Sequence, residues 1–365
     1  MTRTPVLRRV KHSTARVFLV LLLFALAACD RQTETTHETD RLTFQAFGTL
    51  VDITLYPAGK HDLARIEAEL SADLENMHAS WHAWEPGSLG RTNQLLAMGG
   101  EFSAPPSVLP LIEYGQELEA LTDGLFNPAL GRLIAAWGFH QSEAAGPPPD
   151  PDAVRALIED PPRMADIERS GARLRGRHPE LQLDFGGLAK GFAVARSLDL
   201  LAELGVEHAI VNAGGDLMTR GQPGARAWRI GVRHPRGAGV LAGIELGSGE
   251  ALFTSGDYER GYEWDGQRIH HVIDPRTGWP SQGLAAATVL HADPALADAA
   301  ATTLMIAGPE DWPGLARRLG VDHALVVLPD GSVELTPGMA ARVKFQDDVP
   351  HRIRHAQTGN GPGDE

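Results

Sequence analysis

Between Leu181 and Leu335 the apolar residues come in short runs cut by glycine, proline and acidic turns, and this rhythm limits the fold more than any other feature of the chain. Short apolar runs bounded by turn residues read as strands. They fall at residues 181–185, 208–212, 228–233, 240–246, twice between 251 and 272, and at 285–291, 323–328 and 332–335. Helical character is confined to 188–204, the alanine-rich 294–307 and a further helix through 315–319. Clustered short strands with few helices predict an α+β fold with mixed or antiparallel sheets, not a regular βαβ repeat. No internal repeat of fixed period is present.

The first half is more helical. Alternation of Val51, Ile53 and Leu55 with polar neighbours predicts one half-buried strand over 43–56. Leu63, Ile66, Leu70, Leu74 and Met77 recur at three- and four-residue spacing, which predicts an amphipathic helix over 61–79. Further helices are expected at 106–121 and 128–137. The run Gly146-Pro147-Pro148-Pro149 marks a loop, because proline lacks the backbone donor.

The N-terminus sets the compartment. Arg3, Arg8, Arg9, Lys11 and Arg16 precede an apolar run of about a dozen residues, short of the roughly 20 that cross a bilayer. A basic flank and short apolar core make a secretory signal. It ends Leu26-Ala27-Ala28-Cys29, the pattern a bacterial lipoprotein signal peptidase accepts, and Cys29 is the only cysteine. Residues 1–28 are expected to be the signal, 29–42 a lipidated cysteine with a flexible tether, 43–346 the folded domain and 347–365 a polar tail. The net charge of −14 argues against nucleic acid, whose affinity depends on cationic side chains.

Four constellations can carry chemistry. In Asp184-Phe185-Gly186-Gly187-Leu188-Ala189-Lys190-Gly191, paired glycines precede a helix whose start and lysine suit a phosphate. A tight turn with a surface lysine accounts for the same residues. Asn212-Ala213-Gly214-Gly215-Asp216 is a second glycine pair ending in an acid. The runs Thr254-Ser255-Gly256-Asp257-Tyr258-Glu259-Arg260 and His271-Val272-Ile273-Asp274-Pro275-Arg276-Thr277-Gly278 are dense in proton donors and acceptors. His271 can act as general base, with Asp274 orienting it or holding a ligand hydroxyl; a hairpin with turn chemistry reads equally from the same residues. Asp298 and Thr302 stand four apart on a helix and so share a face, as two oxygen ligands or as an ordinary exposed pair.

Taken in order, these motifs resemble the ApbE family of FAD:protein FMN transferases. The resemblance covers residues 44–345 and also rests on Phe47-Gly48-Thr49, Asp123-Gly124-Leu125-Phe126-Asn127-Pro128 and Trp137-Gly138-Phe139. It implies a single two-lobed α+β domain with FAD in the cleft between lobes. It implies Mg²⁺ held by Asp298, Thr302 and the main-chain oxygen of Gly187. It further implies FAD contacts from Phe47, Trp84, Leu125, Phe126, Asn127, Asp184, Lys190, Ser255, Gly256, Arg260 and Ile273, with His271, Asp274 and Lys190 as the catalytic set. The acceptor is expected to be a Thr or Ser of a membrane redox protein, and the location the periplasmic face of the inner membrane, anchored at Cys29. The chain departs from the family pattern at Phe47, Asn127 and Ala195. Two alternatives stay open: an FAD pyrophosphatase, with water in place of the acceptor hydroxyl, and a non-catalytic FAD-holding lipoprotein.

Overall fold

The structure, a computed structural model, describes residues 39–141, 143–346 and 348–355. The signal 1–28, Cys29, most of the tether and the end of the tail lie outside the described residues.

The strand expected over 43–56 is two strands, β1 (Asp40–Ala46) and β2 (Thr49–Tyr56), paired antiparallel with Ala46 opposite Thr49. The two-residue turn between them has φ of 53° at Phe47 and 71° at Gly48. Such hairpin turns need positive φ at both central positions, and a phenylalanine in the first hides the usual Asn-Gly signal. Helices α1 (Leu63–Trp81), α2 (Ser88–Ala97), α3 (Leu109–Leu121), α4 (Gly131–Ala136) and α5 (Pro151–Glu159) follow. A small sheet joins β3 (Phe102–Ser103), β4 (Ile167–Ser170) and β5 (Arg173–Gly176). Helix α5 directly follows the proline run; Asp150 caps it by accepting from Asp152 N–H, and Pro151 sits in its first turn, where its missing donor is harmless.

The second half holds α6 (Ala189–Glu203), β6 (His208–Ala213), β7 (Asp216–Arg220), β8 (Trp228–Arg233), β9 (Val240–Leu246), β10 (Ala251–Gly256), β11 (Gly261–Trp264) and β12 (Gln267–His270). It continues with β13 (Ala286–His291), α7 (Pro294–Arg318), β14 (His323–Val327), β15 (Val333–Leu335), α8 (Pro337–Ala340), β16 (Val343–Phe345) and β17 (His351–Ile353). Nine strands form the main sheet in the order β1-β2-β6-β7-β10-β13-β14-β15-β17, antiparallel except for β15 with β17.

Both faces of this sheet are buried, and the period-2 alternation divides them. Val51, Ile53, Val211, Phe253, Val289 and Val326 pack into a core shared with α6 and α7. Their neighbours Leu252, Leu290, Leu325 and Val327 turn to a second core closed by β8 and β9. A third cluster gathers Leu130, Trp137, Phe139, Val154 and Ile273.

Residues 181–185 form no strand; only Gln182 bridges, to Leu130. Their backbone is satisfied otherwise: Leu183 N–H donates to Asn93 Oδ1 at 2.8 Å, Asn93 Nδ2 to Leu183 O at 2.9 Å and Asp184 N–H to Pro128 O at 2.9 Å. Helix α7 breaks at Gly308, whose φ of 79° and ψ of −179° separate two helical pieces, as the spacing predicts. Strand β17 lies within the stretch read as a polar tail, where Arg352 and Arg354 pair with the buried Glu334.

Candidate active site

The site is built where the start of α6 meets α7. Contact is close because residue 191 is glycine: a Cβ there would stand 2.5 Å from Ala295 Cα. The approach lets Gly191 N–H donate to Asp298 Oδ2 at 3.0 Å. Asp298 is buried, and Thr302, one turn along the same face, contacts Ser255 Oγ through its hydroxyl at 3.0 Å. A Cβ on Gly187 would lie 3.5 Å from Thr302 Oγ1 and 3.3 Å from the Phe126 ring. The structure therefore brings Gly187, Thr302, Ser255 and Phe126 together, with Asp298 one turn away.

Lys190 joins this group. Its ammonium pairs with Asp216 Oδ2 and stands 3.8 Å from Asp298 Oδ1. Desolvation pulls the ammonium pKa down, but the charges of Asp216, Asp298 and Glu259 outweigh it, and the pKa ends above the usual lysine range. Burial drives the Asp298 carboxyl up, against the pull of Lys190. Glu259, although its side chain still reaches solvent, is raised to about 7 by desolvation despite Lys190. The cluster thus carries more carboxylate than its lysine neutralises. Among the described residues no three His, Cys, Asp or Glu side chains form a metal cage. A carboxylate, a hydroxyl and a backbone carbonyl are instead a sparse, all-oxygen donor set, which fits a hard dication completed by water and phosphate.

A second group faces the loop before α6. Trp84 Nε1 donates to Asp184 Oδ2 at 3.0 Å, and Gly186 N–H to Asp184 Oδ1 at 2.8 Å. Beside Trp84, at 5.3 Å between ring centroids, stands His140, whose buried Nδ1 has no hydrogen-bond partner among the described residues. Phe47 donates its N–H to His78 Nδ1 at 3.2 Å and stacks on Trp81 at 6.1 Å.

His271 Nδ1 lies 3.2 Å from the Arg260 carbonyl. A carbonyl only accepts, so Nδ1 carries the proton and Nε2 presents its lone pair. Desolvation, with Arg260's charge, lowers the pKa to about 3 and keeps the ring neutral.

Asp274 does not orient His271. Pro275 and Gly278 close the turn so tightly that its carboxylate accepts from Arg276 Nε at 2.9 Å, Arg276 Nη2 at 2.8 Å and Arg276 N–H at 2.8 Å. Arg276 in turn donates to Ile306 O at 2.8 Å, at the end of the first piece of α7, so the pair steadies the helix that bears Asp298. Other expected FAD contacts are committed to the protein itself. Asn127 donates to Pro162 O at 2.9 Å and accepts from Ala129 N–H at 3.0 Å. Arg260 donates to the carbonyls of Phe139 and Gln141, both at 3.0 Å. Ile273 packs into the third core, and Leu125 packs against the first. Gly256 lies under the Tyr258 ring, which a Cβ would strike at 2.3 Å. Asp216, flagged only as a turn acid, is the residue the sequence undervalues.

This mixed α+β architecture is that of the flavin transferases. It matches the ApbE protein of Thermotoga maritima with a TM-score of 0.75 and 28% identity, covering 84% of this chain and 99% of that one. It matches the flavin transferase ApbE of Vibrio cholerae with a TM-score of 0.73 and 26% identity, covering 84% and 99%. The ApbE family model matches residues 47–325, and the chain belongs to the ApbE family. Curated relatives named FAD:protein FMN transferase include proteins of Rhodobacter capsulatus, 40% identical over 83% of this chain, and Treponema pallidum, 31% identical over 90%. The chain spans 58% of the length of the Rhodobacter relative and 95% of the Treponema one.

Proposed function

We propose that this protein moves FMN from FAD to a Thr or Ser hydroxyl of an acceptor protein, with Mg²⁺ and with release of AMP. The observation that carries the reading is that Gly187 lies close to Thr302, whose hydroxyl contacts Ser255, with Asp298 one turn away beside Lys190. The acceptor oxygen attacks the flavin-side phosphorus. A new P–O ester bond forms, the bond to the bridging oxygen breaks, and AMP departs with the electron pair. The hydroxyl proton passes to Nε2 of His271, which is neutral and unblocked by its backbone partner. Lys190 sets a fixed positive charge near the phosphates. Bound at Asp298, Thr302 and Gly187, Mg²⁺ would neutralise charge on the phosphoryl oxygens. Trp84 and Phe47, both partly exposed, offer aromatic surface to the flavin, with Phe126 packed behind Gly187, and Asp184 fixes Trp84. Support for a lipid anchor at Cys29, on the periplasmic face of the inner membrane, comes from the signal and its single cysteine.

The test combines the chain from Asp30 onward with FAD, Mg²⁺ and a threonine-bearing acceptor domain. Flavin fluorescence that survives denaturing electrophoresis, with AMP in solution and both lost in Asp298→Ala, is the expected result. AMP without labelled acceptor would instead indicate the pyrophosphatase. Bound FAD with neither product would sink both enzymatic readings.

A further inference from the structure

We propose that Asp216 is a positioning residue of this centre: it holds the Lys190 ammonium off Asp298 and so keeps the Asp298 carboxylate available to a divalent cation. The inference rests on the assignment of that cation to Asp298 and Thr302. Lys190 has two carboxylates within reach and is in direct contact with one. It pairs with Asp216 Oδ2, whereas Asp298 Oδ1 stands 3.8 Å away, beyond a hydrogen bond. Asp216 does not follow the lysine if it moves, because Thr254 N–H holds its other oxygen at 2.9 Å and the residue is only 4% exposed. Asp298 is fixed as well, through Gly191 N–H at 3.0 Å. The ammonium is therefore the mobile member, on a flexible stem between two anchored anions. Without the charge on Asp216, the remaining carboxylate within ion-pair distance is Asp298, with Glu259 acting from farther off. It would close on that carboxylate and set a positive charge where the dication must sit.

Opposite effects follow for two neighbouring substitutions. Asp216→Asn should weaken Mg²⁺ binding by roughly tenfold or more, since like charges at a few ångströms in a buried site interact strongly. Lys190→Met should tighten it, because the competitor is gone and Asp216 is left anionic. The double variant should recover the affinity lost in Asp216→Asn, which a purely structural role for Asp216 would not produce. The measurement is calorimetric titration of the full chain with Mg²⁺ without FAD, repeated with Mn²⁺ by electron paramagnetic resonance. If Asp216→Asn does not fold, Lys190→Met decides alone: tighter binding supports the inference, and unchanged or weaker binding overturns it. Cation binding that is absent in the wild type, or undiminished in Asp298→Ala, removes the cation assignment and this inference with it. Binding lost in Asp298→Ala but unaltered in Asp216→Asn overturns the inference only.

Discussion

His271 is a histidine whose usefulness depends on staying uncharged. Its pKa, lowered by desolvation to about 3, means that the neutral ring persists as pH falls through the range where an ordinary imidazole titrates. A ring-labelled NMR titration should therefore show the His271 ring, assigned by its loss in His271→Ala, still neutral at pH 5. A His271 resonance that titrates near the usual imidazole value would contradict the role of a neutral base beside Arg260. In catalysis, loss of a general base costs about 10²–10⁴-fold, so His271→Ala should lower kcat by that order with FAD binding retained. At this scale the sequence is readable where partners are near in the chain. Asp298 and Thr302 are one helical turn apart, and the periodicity alone puts them on one face. The partnerships of Lys190 with Asp216 and of Trp84 with Asp184 span 26 and 100 residues, and no local pattern announces them. Asp274 misleads because a histidine and an aspartate three residues apart look like a pair, while the turn delivers the carboxylate to Arg276.

Elements set the distances on which those residues depend. Gly191 marks where α6 and α7 touch, and Gly191→Ala would drive a methyl group to 2.5 Å from the Ala295 and Pro294 backbone. Neither backbone can yield as a side chain would. The expected cost is about 1–3 kcal/mol, seen as a lower Tm together with weaker cation binding, because the helices that carry Lys190 and Asp298 must part. A second element contact links the β9–β10 turn to the approach to β16: Arg342 donates to both Glu250 oxygens at 2.9 and 2.8 Å, and Gly247 N–H donates at 2.7 Å. The hydrogen bonds from Arg342 hold the Glu250 pKa below its ordinary 4.5. The unfolded chain therefore takes up this proton first, and the stabilisation is complete above about pH 4.5 and lost as pH falls through the depressed value. Glu250→Gln should flatten acid unfolding curves in that window; an unchanged slope would deny the clamp a role. Where apolar runs are read as strands the alternation is largely sufficient, and β8 and β9 end where those runs end, but β3, β4, β5, β7 and α5 are not read at all. Helix α2 is not read either, since Gly87 and Gly90 near its start dilute the helical signal. Both glycines are required there, because a Cβ at either would meet a carbonyl oxygen, at 2.1 and 2.4 Å.

Across the whole molecule, Glu334 ties together parts that are distant in the chain. Only 1% exposed, it accepts from Trp312 Nε1 at 2.8 Å, from Arg352 Nε at 2.6 Å and from Arg354 Nη1 at 3.1 Å. These contacts join the second piece of α7 to β15 and β17. Removing one partner of a buried ionic cluster leaves the others uncompensated, at about 3–5 kcal/mol. Glu334→Ala should lower the calorimetric Tm by several degrees while the affinity of the folded protein for FAD is retained; loss of FAD affinity at equal folding would show that the cluster reaches the site. The main sheet has a further consequence, one of time. Strand β2 finds its second neighbour only when Val51 meets Ala213, so its outer edge lacks its native partner until more than half of the chain has been made. A lone hairpin is marginal in water, and pairing between remote segments must first overcome the entropy of closing a long loop. Refolding should therefore be slow, on the order of seconds or longer, with β1 and β2 among the last amides to gain protection from hydrogen exchange. A chain that cannot complete its sheet early remains threadable, and under the proposed export by way of the N-terminal signal that delay is a kinetic asset.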